Sequence, residues 1–254
     1  MRHPVVFVGA GPGAADLITV RGARRLAEAE LVLFDALTDP ALRELAPQAR
    51  WIDVGKRGFC DATGQAWINA LLVKYATQGL RVLRLKGGDP SVFGRLEEEL
   101  QALAAAGVAA EVVPGVTAAL AAAAATHKPL TRRGSGRSVA LTTAMTRSGE
   151  LRAARHADTE VFYMAGRQLP ALSRRLREAG WEDDTPASVV SRAGCADQLA
   201  SQHSVASLAE AGLLHSGRPT VVTVGIGARP VVTGPACAGD SDAIPHTSHD
   251  AASL

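Results

Sequence analysis

The sequence predicts an α/β protein whose sheet is largely parallel and carries helices on both faces. Short apolar segments of strand type alternate with segments of helical periodicity, and a glycine-rich or charged loop follows several of the strand segments. The strand segments are continuous apolar runs, which is typical of parallel strands buried on both faces. With 254 residues, 47% of them hydrophobic and 20% charged, the chain is long enough for one large domain or two small ones.

The first half supplies most of these elements. Strands are predicted at residues 5–8, 31–34, 51–54, 81–85 and 108–113. A first helix is predicted from Asp16 to about Ala29. A second, over residues 65–78, has apolar residues at i, i+3, i+4 and i+7, and Gly79 stands where a C-terminal cap belongs. A third helix contains Leu96, Leu100 and Leu103 on one face, and Gly107 would end it.

The second half repeats the alternation and predicts a second α/β domain. Strands are predicted at residues 138–143, 160–164, 186–191 and 220–224, and helices at residues 117–125 and 167–179. A polar, basic connector over residues 126–137 indicates a domain boundary nearby. We therefore predict domains at residues 1–115 and 116–232. Small and polar residues dominate 233–254, which predicts a disordered tail.

Composition excludes several functional classes. A net charge of +2 is weaker than a nucleic-acid-binding protein usually carries. The three cysteines, Cys60, Cys195 and Cys237, form no C-x-x-C pair and indicate free thiols in a reducing compartment. No histidine or cysteine spacing predicts a metal site, and no apolar run has the length of a membrane span. These features lead us to expect a cytoplasmic protein that binds neither nucleic acid nor membrane.

The first loop, at residues 9–16, invites comparison with the dinucleotide fingerprint G-x-G-x-x-G. The first two glycines fit, but the third falls one residue early, so that Ala14 stands in its place. Pro12 also removes one backbone donor that a pyrophosphate would need. Asp35, in contrast, ends the second strand where a ribose-binding acid is expected. An NAD(P)-dependent oxidoreductase therefore stays open as an alternative of another class.

Two later loops are candidates for ligand binding. In Gly-Gly-Asp-Pro at residues 87–90, the glycines allow close approach of a ligand and Asp89 can accept a hydrogen bond, although a structural β-to-α turn explains the same residues. Arg95 can meet a carboxylate with two hydrogen bonds, or it can pair locally with Glu98. Thr117 begins a helix, where an ordinary N-cap role is equally open.

Taken together, these loops resemble those of the tetrapyrrole methylase family. The resemblance covers roughly residues 4–230 in one order and without large insertions. Its most specific part is the second loop with the residues that flank it. In chain order the matching segments read GAGPG, LFD, GKR, RLKGGDPSVFGR, EVVPGVTAA, PLTRR, YMA and PTVVTVG.

The resemblance implies two α/β domains with the active site in the cleft between them. It implies S-adenosylmethionine as methyl donor, S-adenosylhomocysteine as product and a tetrapyrrole as acceptor, with uroporphyrinogen III the expected one, and a homodimeric assembly. Asp35 would be the proton acceptor and Lys56 the proton donor. The residues that it assigns to the cofactor are Pro12, Gly87, Gly88, Asp89, Val92, Thr117, Ala118, Met164 and Ala193.

The acceptor's carboxylates call for cations, and Arg95, Arg132 and Arg133 are the candidates. The chain departs from the family pattern mainly on this side. Ala14 replaces an aspartate, Leu96 a glycine, and Arg132 a histidine, and Ala144 falls in the stretch where the family has Thr-Gly-His. A methylase of a later corrin intermediate and a non-catalytic binding protein are therefore further alternatives. The dehydrogenase and chelatase portion of fused sirohaem synthases has no counterpart in the sequence, so methylation is the one step expected.

Overall fold

The computed structural model describes residues 3–55, 62–145 and 151–231, and they form two sheets of five strands each. Helices lie against both sheets, so the predicted α/β class is confirmed. The predicted tail, residues 233–254, lies outside the described residues. Among the described helices, none combines the length and the apolar character needed to cross a bilayer.

The first sheet is entirely parallel. Its strand order is β3-β2-β4-β1-β5, and each neighbouring pair runs in the same direction. Since all five strands point the same way, their carboxyl ends share one edge of the sheet. The strands are β1 (Val5–Gly9), β2 (Leu31–Phe34), β3 (Arg50–Asp53), β4 (Val82–Lys86) and β5 (Ala110–Val113).

Two apolar clusters cover the faces of this sheet. Phe7 and Leu33 pack on one face with α2 (Ala62–Thr77) and α3 (Leu96–Ala105). On the other face, the neighbouring strand residues pack with α1 (Val20–Ala27). This two-sided burial explains why the strands are apolar throughout rather than alternating.

The first predicted helix is wrong in one respect. A short 3-10 turn covers Ala15–Leu17, and α1 begins only at Val20. Ile18 and Thr19 between them are extended, and the Thr19 hydroxyl accepts a hydrogen bond of 3.0 Å from the Gly22 amide. Thr19 is therefore the N-cap of α1, and a cap residue interrupts what periodicity alone reads as one helix.

The second sheet corrects the expectation of parallel strands. Its order is β6-β7-β10-β8-β9, and only β6 and β7 run parallel. Residues 192–198, which join β8 to β9, hold no helix, and a crossover to a parallel neighbour needs a longer connection. The strands are β6 (Val139–Thr143), β7 (Thr159–Tyr163), β8 (Pro186–Ser191), β9 (Leu199–Ser204) and β10 (Thr220–Gly225).

The helices of the second half lie on opposite faces of this sheet. Helix α4 (Ala118–Thr126) packs through its alanines on Val161 of β7 and Val221 of β10. Helix α5 (Leu169–Glu178) packs in a separate cluster with Phe162. Helix α4 directly follows the loop after β5, so the chain passes from the edge of the first sheet straight onto the second.

Candidate functional site

The candidate site lies at the carboxyl edge of the first sheet. Because β4, β1 and β5 are neighbours, the three loops singled out in the sequence leave adjacent strands. Asp35 leaves β2, which is the neighbour of β4 on its other side. Loops that are far apart in the sequence therefore meet at one edge, where ligands of open α/β sheets bind.

Backbone hydrogen bonds tie the three loops together. Gly11 and Gly88 exchange two of them, with N···O distances of 3.3 and 2.7 Å. The Asp89 carboxylate accepts one from the Gly115 amide at 2.9 Å and one from the Ser91 amide at 2.8 Å. Asp89 thus joins the second loop to the third, a structural task that sequence reasoning did not assign to it.

The glycines of the first loop are explained by close packing. A Cβ on Gly9 would lie 2.6 Å from the Gly115 Cα, and one on Gly13 would collide with the Cys195 side chain. Gly11 has a φ of +80°. The backbone contact at Gly9 and the φ of Gly11 require glycine whether or not a pyrophosphate is bound, and α1 does not begin on this loop. The geometry therefore removes the main support for a dinucleotide site.

Gly87 is different, because an added Cβ there would meet no atom closer than ordinary van der Waals contact. The nearest atom to a Cβ added there is the Leu37 Cβ at 3.6 Å, an ordinary van der Waals distance, and its φ is not in the left-handed region. Nothing within the described structure requires glycine at this position. The neighbouring Gly88 has a φ of +69° and does require it. The half-buried backbone at Gly87 leaves room for a side chain, or for a ligand that lies against this loop.

The second sheet contributes Tyr163 to the same region. Its hydroxyl lies 2.7 Å from the Thr117 hydroxyl and accepts a hydrogen bond of 3.3 Å from the Ala119 amide. The Phe93 ring packs on Tyr163 with centroids 5.1 Å apart. Burial raises the pKa of Tyr163 above its ordinary value, since the hydrogen bonds from Thr117 and Ala119 offset it only in part. Thr117 makes no capping bond to α4, so capping does not account for its side chain.

The other residues expected at the cofactor lie around Tyr163. Val92, Ala118 and Ala193 belong to the apolar cluster that contains it. Met164 follows it with a φ of +57° and is 41% exposed. Pro12 lies near Gly194, whose carbonyl accepts a hydrogen bond of 3.0 Å from the Ala14 amide. The structure thus brings Pro12, the first residue of the predicted cofactor set, and Ala193, the last, into one region.

Asp35 stands at the end of β2 with a side chain that is 31% exposed. Its Oδ1 accepts a hydrogen bond of 2.5 Å from the Arg84 Nη2. The following turn is held by the Asp35 carbonyl, which accepts from the Thr38 amide and hydroxyl. The carboxylate is therefore engaged by a buried arginine rather than by the turn. Lys56, its expected partner in proton transfer, lies outside the described residues.

A buried chain of charges extends inward from Asp35. The Arg84 Nε donates to Glu99 at 3.0 Å, and the Lys86 Nζ donates to the other Glu99 oxygen at 2.7 Å. Burial favours a lower pKa for Arg84, but Asp35 and Glu99 more than offset it and the pKa is raised. The pKa of Lys86 is lowered, chiefly by burial and then by the Arg84 charge.

The arginines proposed for the acceptor are not brought together. Arg95 makes two hydrogen bonds of 2.7 Å to Glu98, as the local-pairing alternative has it. Arg132 donates to the carbonyls of Arg229 and Pro230, close to the last of the described residues. Arg133 is exposed. In this structure Arg95 and Arg132 are therefore each engaged by a different set of partners.

Sequence reasoning missed several residues of this region. Arg84, Lys86 and Glu99 form the buried chain, and Phe93 and Tyr163 form the aromatic contact. One signal was available, because two cations interrupt the apolar strand VLRLK and buried cations require partners. The partner could not be identified, since three successive glutamates begin α3.

The fold and the converging loops define a two-sheet α/β protein with a ligand site on glycine-rich loops at the edge of its parallel sheet. The family model for tetrapyrrole (corrin/porphyrin) methylases matches residues 4–209, and the chain belongs to this family. The resemblance seen in the sequence is thereby confirmed.

Curated relatives agree with this assignment. A uroporphyrinogen-III C-methyltransferase from Pseudomonas aeruginosa is 39% identical over 240 residues, which are 92% of this chain and 98% of the relative. A siroheme synthase from a Psychrobacter species is 40% identical over 221 residues. These cover 85% of this chain but only 45% of that longer protein.

Solved structures have the same fold. A uroporphyrin-III C-methyltransferase from Thermus thermophilus, crystallised with S-adenosylhomocysteine, has a TM-score of 0.77 and 33% identity, and the match covers 89% of this chain and 98% of that one. A cobalt precorrin-4 methyltransferase has a TM-score of 0.79 and 28% identity, with 89% and 96% covered.

Proposed function

We propose that the protein is an S-adenosylmethionine-dependent C-methyltransferase that acts on a tetrapyrrole, with uroporphyrinogen III as the acceptor. Membership of the methylase family is the observation that carries this proposal. The relative from Pseudomonas aeruginosa, which the match covers over 98% of its length, is named for this reaction. The structure from Thermus thermophilus contains S-adenosylhomocysteine, the demethylated product of the donor.

The residues present fit the donor. An added Cβ at Gly87 would meet no close contact, so there is room at this loop, and Thr117, Ala118, Met164 and Ala193 lie near Tyr163. We propose that these residues, together with Pro12, Gly88, Asp89 and Val92, hold S-adenosylmethionine. When bound, it supplies a methyl group that forms a bond to an acceptor carbon while the sulfonium C–S bond breaks and its electron pair returns to sulfur.

Asp35 would take the proton that the acceptor must lose. Reduced pyrrole carbons are nucleophilic, and after methylation the macrocycle carries a positive charge until a C–H proton leaves. A carboxylate at the edge of the site, with one oxygen bound by Arg84, is placed to accept that proton. Lys56 is proposed as the proton donor on the resemblance alone. Alignment of the two ligands would supply most of the remaining rate enhancement.

The acceptor is a polycarboxylate, and we propose Arg95, Arg132 and Arg133 as its partners. Arg95 is the strongest of these, because it follows the second loop and its guanidinium is already arranged for two parallel hydrogen bonds. Its bond to Glu98 would have to be exchanged for one to the acceptor. Arg132 is already used by two backbone carbonyls.

Calorimetry decides between this proposal and an NAD(P)-dependent oxidoreductase. We expect S-adenosylhomocysteine to bind and NADH to give no measurable heat, because the first-loop glycines serve packing and α1 does not begin there. Tight binding of NADH without binding of S-adenosylhomocysteine would contradict the proposal.

Assembly and location are further parts of the proposal. We propose a homodimer, on the resemblance, and light scattering coupled to size exclusion tests it. We also propose that the protein acts in the cytoplasm and takes small-molecule partners rather than nucleic acid. The small net charge of +2 supports the last point.

A further inference from the structure

Four charged side chains form one continuous chain of ion pairs beneath the candidate site. Asp35 contacts Arg84, Arg84 contacts Glu99, and Glu99 contacts Lys86. The set contains two positive and two negative charges, so it is neutral as a whole. Gln65 adds a hydrogen bond of 3.3 Å to Glu99.

Burial is uneven along this chain. The Arg84, Glu99 and Lys86 side chains are 2%, 0% and 4% exposed, whereas Asp35 is 31% exposed. The chain therefore reaches the surface at Asp35, at the carboxyl end of β2. Buried ion pairs lose much of their attraction to the cost of removing charges from water, so stability is a weak reason for three linked pairs. A role at the exposed end is the better explanation.

The contacts of Arg84 hold the Asp35 carboxylate in place. Its Nη1 donates to the carbonyls of Leu33 and Leu85 at 3.3 and 3.0 Å, and its Nε is held by Glu99. With the guanidinium immobilised on three sides, Nη2 holds Oδ1 of Asp35 in one position. Among the described residues Oδ2 receives no hydrogen bond, so it is the oxygen left for a proton.

We propose that Arg84 is a positioning residue for Asp35 and that Glu99 holds Arg84 in place for this purpose. The inference rests on the proposed role of Asp35 in proton removal. Arg84 does not contact the ligands itself. It orients the carboxylate that does, and misplacement of a reacting group by about 1 Å can cost on the order of 10²-fold in rate.

Two single variants provide a matched test, because each removes one of the two buried cations that contact Glu99. Arg84→Met releases Asp35, whereas Lys86→Met leaves Arg84 on both Asp35 and Glu99. We expect turnover of uroporphyrinogen III to fall about 10- to 100-fold in Arg84→Met, with acceptor KM and S-adenosylhomocysteine affinity unchanged. In Lys86→Met we expect a turnover within about 3-fold of the original, a change too small for a lost positioning contact.

A second background separates positioning from general damage. If Arg84 acts through Asp35, Arg84→Met costs nothing further once Asp35→Asn is present, because the carboxylate is already gone. Equal losses in Arg84→Met and Lys86→Met, or an undiminished loss from Arg84→Met in the Asp35→Asn background, would overturn the inference. Should Arg84→Met fail to fold by circular dichroism, Arg84→Lys replaces it, since an ammonium keeps the charge but not the planar, two-donor geometry of the guanidinium.

The outcomes also separate this inference from the function on which it rests. If the original protein transfers no methyl group, the proposed function fails. Normal methyl transfer with normal turnover in Asp35→Asn would remove the proton role and the positioning role together. Slow turnover in Asp35→Asn, with indistinguishable turnover in Arg84→Met and Lys86→Met, would remove the positioning role alone.

Discussion

The two sheets contribute to the site in different ways. In the first, all strands are parallel, so five loops meet at one edge and bring Asp35 and the loop at residues 87–90 together. In the second, three strands run one way and two the other, and only those that run the same way deliver residues to one edge. Both β7 and β8 run antiparallel to β10, and they end at Tyr163 and near Ala193. The parallel sheet thus supplies the polar loops of the site, and the mixed sheet supplies Tyr163 and Ala193 from the ends of two strands.

Their buried polar groups differ as well. Beneath the first sheet's edge lie four charges in contact. The second sheet buries a neutral network, in which Ser191 lies 2.6 Å from His215 and Ser201 lies 2.9 Å from its other ring nitrogen. Burial, followed by His203 and Arg218, lowers the pKa of His215. The buried charges that contact one another therefore lie beneath the edge of the first sheet, whereas the buried Glu160 of the second sheet accepts hydrogen bonds from the His156 and Ala157 amides.

The largest effect is expected at Asp35. Because the acceptor must lose a proton, Asp35→Asn should slow turnover by roughly 10²–10⁴-fold, and Lys56→Ala should do the same. S-adenosylhomocysteine affinity, measured on the same preparations, should hardly change. Asp183→Asn is the matched control, since Asp183 also pairs with an arginine at 2.7 Å but lies in the second half. Original turnover in both site variants would leave the proton roles without support.

Gly87→Val tests the loop of the first sheet. The side chain would enter the open space at this position without strain in the backbone, so the protein should fold and lose affinity for S-adenosylhomocysteine by about 10- to 100-fold. Gly212→Val is the control, because Gly212 also faces open space but starts a helix of the second half. A folded Gly87→Val protein that binds normally would reduce this loop to a structural turn.

Arg95→Ala tests the acceptor side. Loss of a bidentate partner should weaken acceptor binding by about 1.5–3 kcal/mol, roughly a 10- to 100-fold rise in KM, with donor affinity unchanged. Arg175→Ala is closely matched, since Arg175 pairs with Glu178 at 2.7 Å in the same i,i+3 spacing on α5. If both variants keep the original KM, Arg95 serves only Glu98.

The smallest effect is expected at Tyr163. Tyr163→Phe removes the hydrogen bonds to Thr117 and Ala119 but keeps the ring contact with Phe93, so donor affinity should fall only several-fold. Since the pKa of Tyr163 is raised in the folded protein, its contribution to stability is present below about pH 10 and is lost as pH rises through the folded value. Thermal unfolding between pH 8 and 11, a span set by that ordinary pKa, should show a smaller alkaline loss in the variant.

Sequence reasoning succeeded where one local pattern determines one element. Apolar runs located β1, β2 and β8, and Gly79 ended α2 with a φ of +84°, as a C-terminal glycine should. It missed β9, whose sequence LASQHS carries one large apolar residue. This segment is a strand because it pairs with β8. Strand direction in the second sheet was missed for the same reason, since pairing partners are not written in any one segment.

In the site too, residues with a local sequence signal could be predicted, and residues placed by tertiary contacts could not. Loops carry their own signals, so the residues around Gly87 and Thr117 could be named in advance, and Asp35 could be placed at a strand end. The partners of Asp35 depend on strand order, because Arg84 reaches it only when β4 lies beside β2. Glu99 reaches Arg84 from a helix packed on the same face. Contacts of this kind follow from tertiary structure and not from a motif.

Carbon methylation of a tetrapyrrole is the activity on which the other proposals depend. Mass spectrometry of uroporphyrinogen III incubated with the protein and S-adenosylmethionine labelled in its methyl group measures this activity. We expect a product heavier by one or more labelled methyl groups, with release of S-adenosylhomocysteine. We expect far slower formation of that product with Asp35→Asn. An unchanged macrocycle, from a folded protein that binds S-adenosylhomocysteine, would contradict the choice of uroporphyrinogen III and direct the same assay to later corrin intermediates.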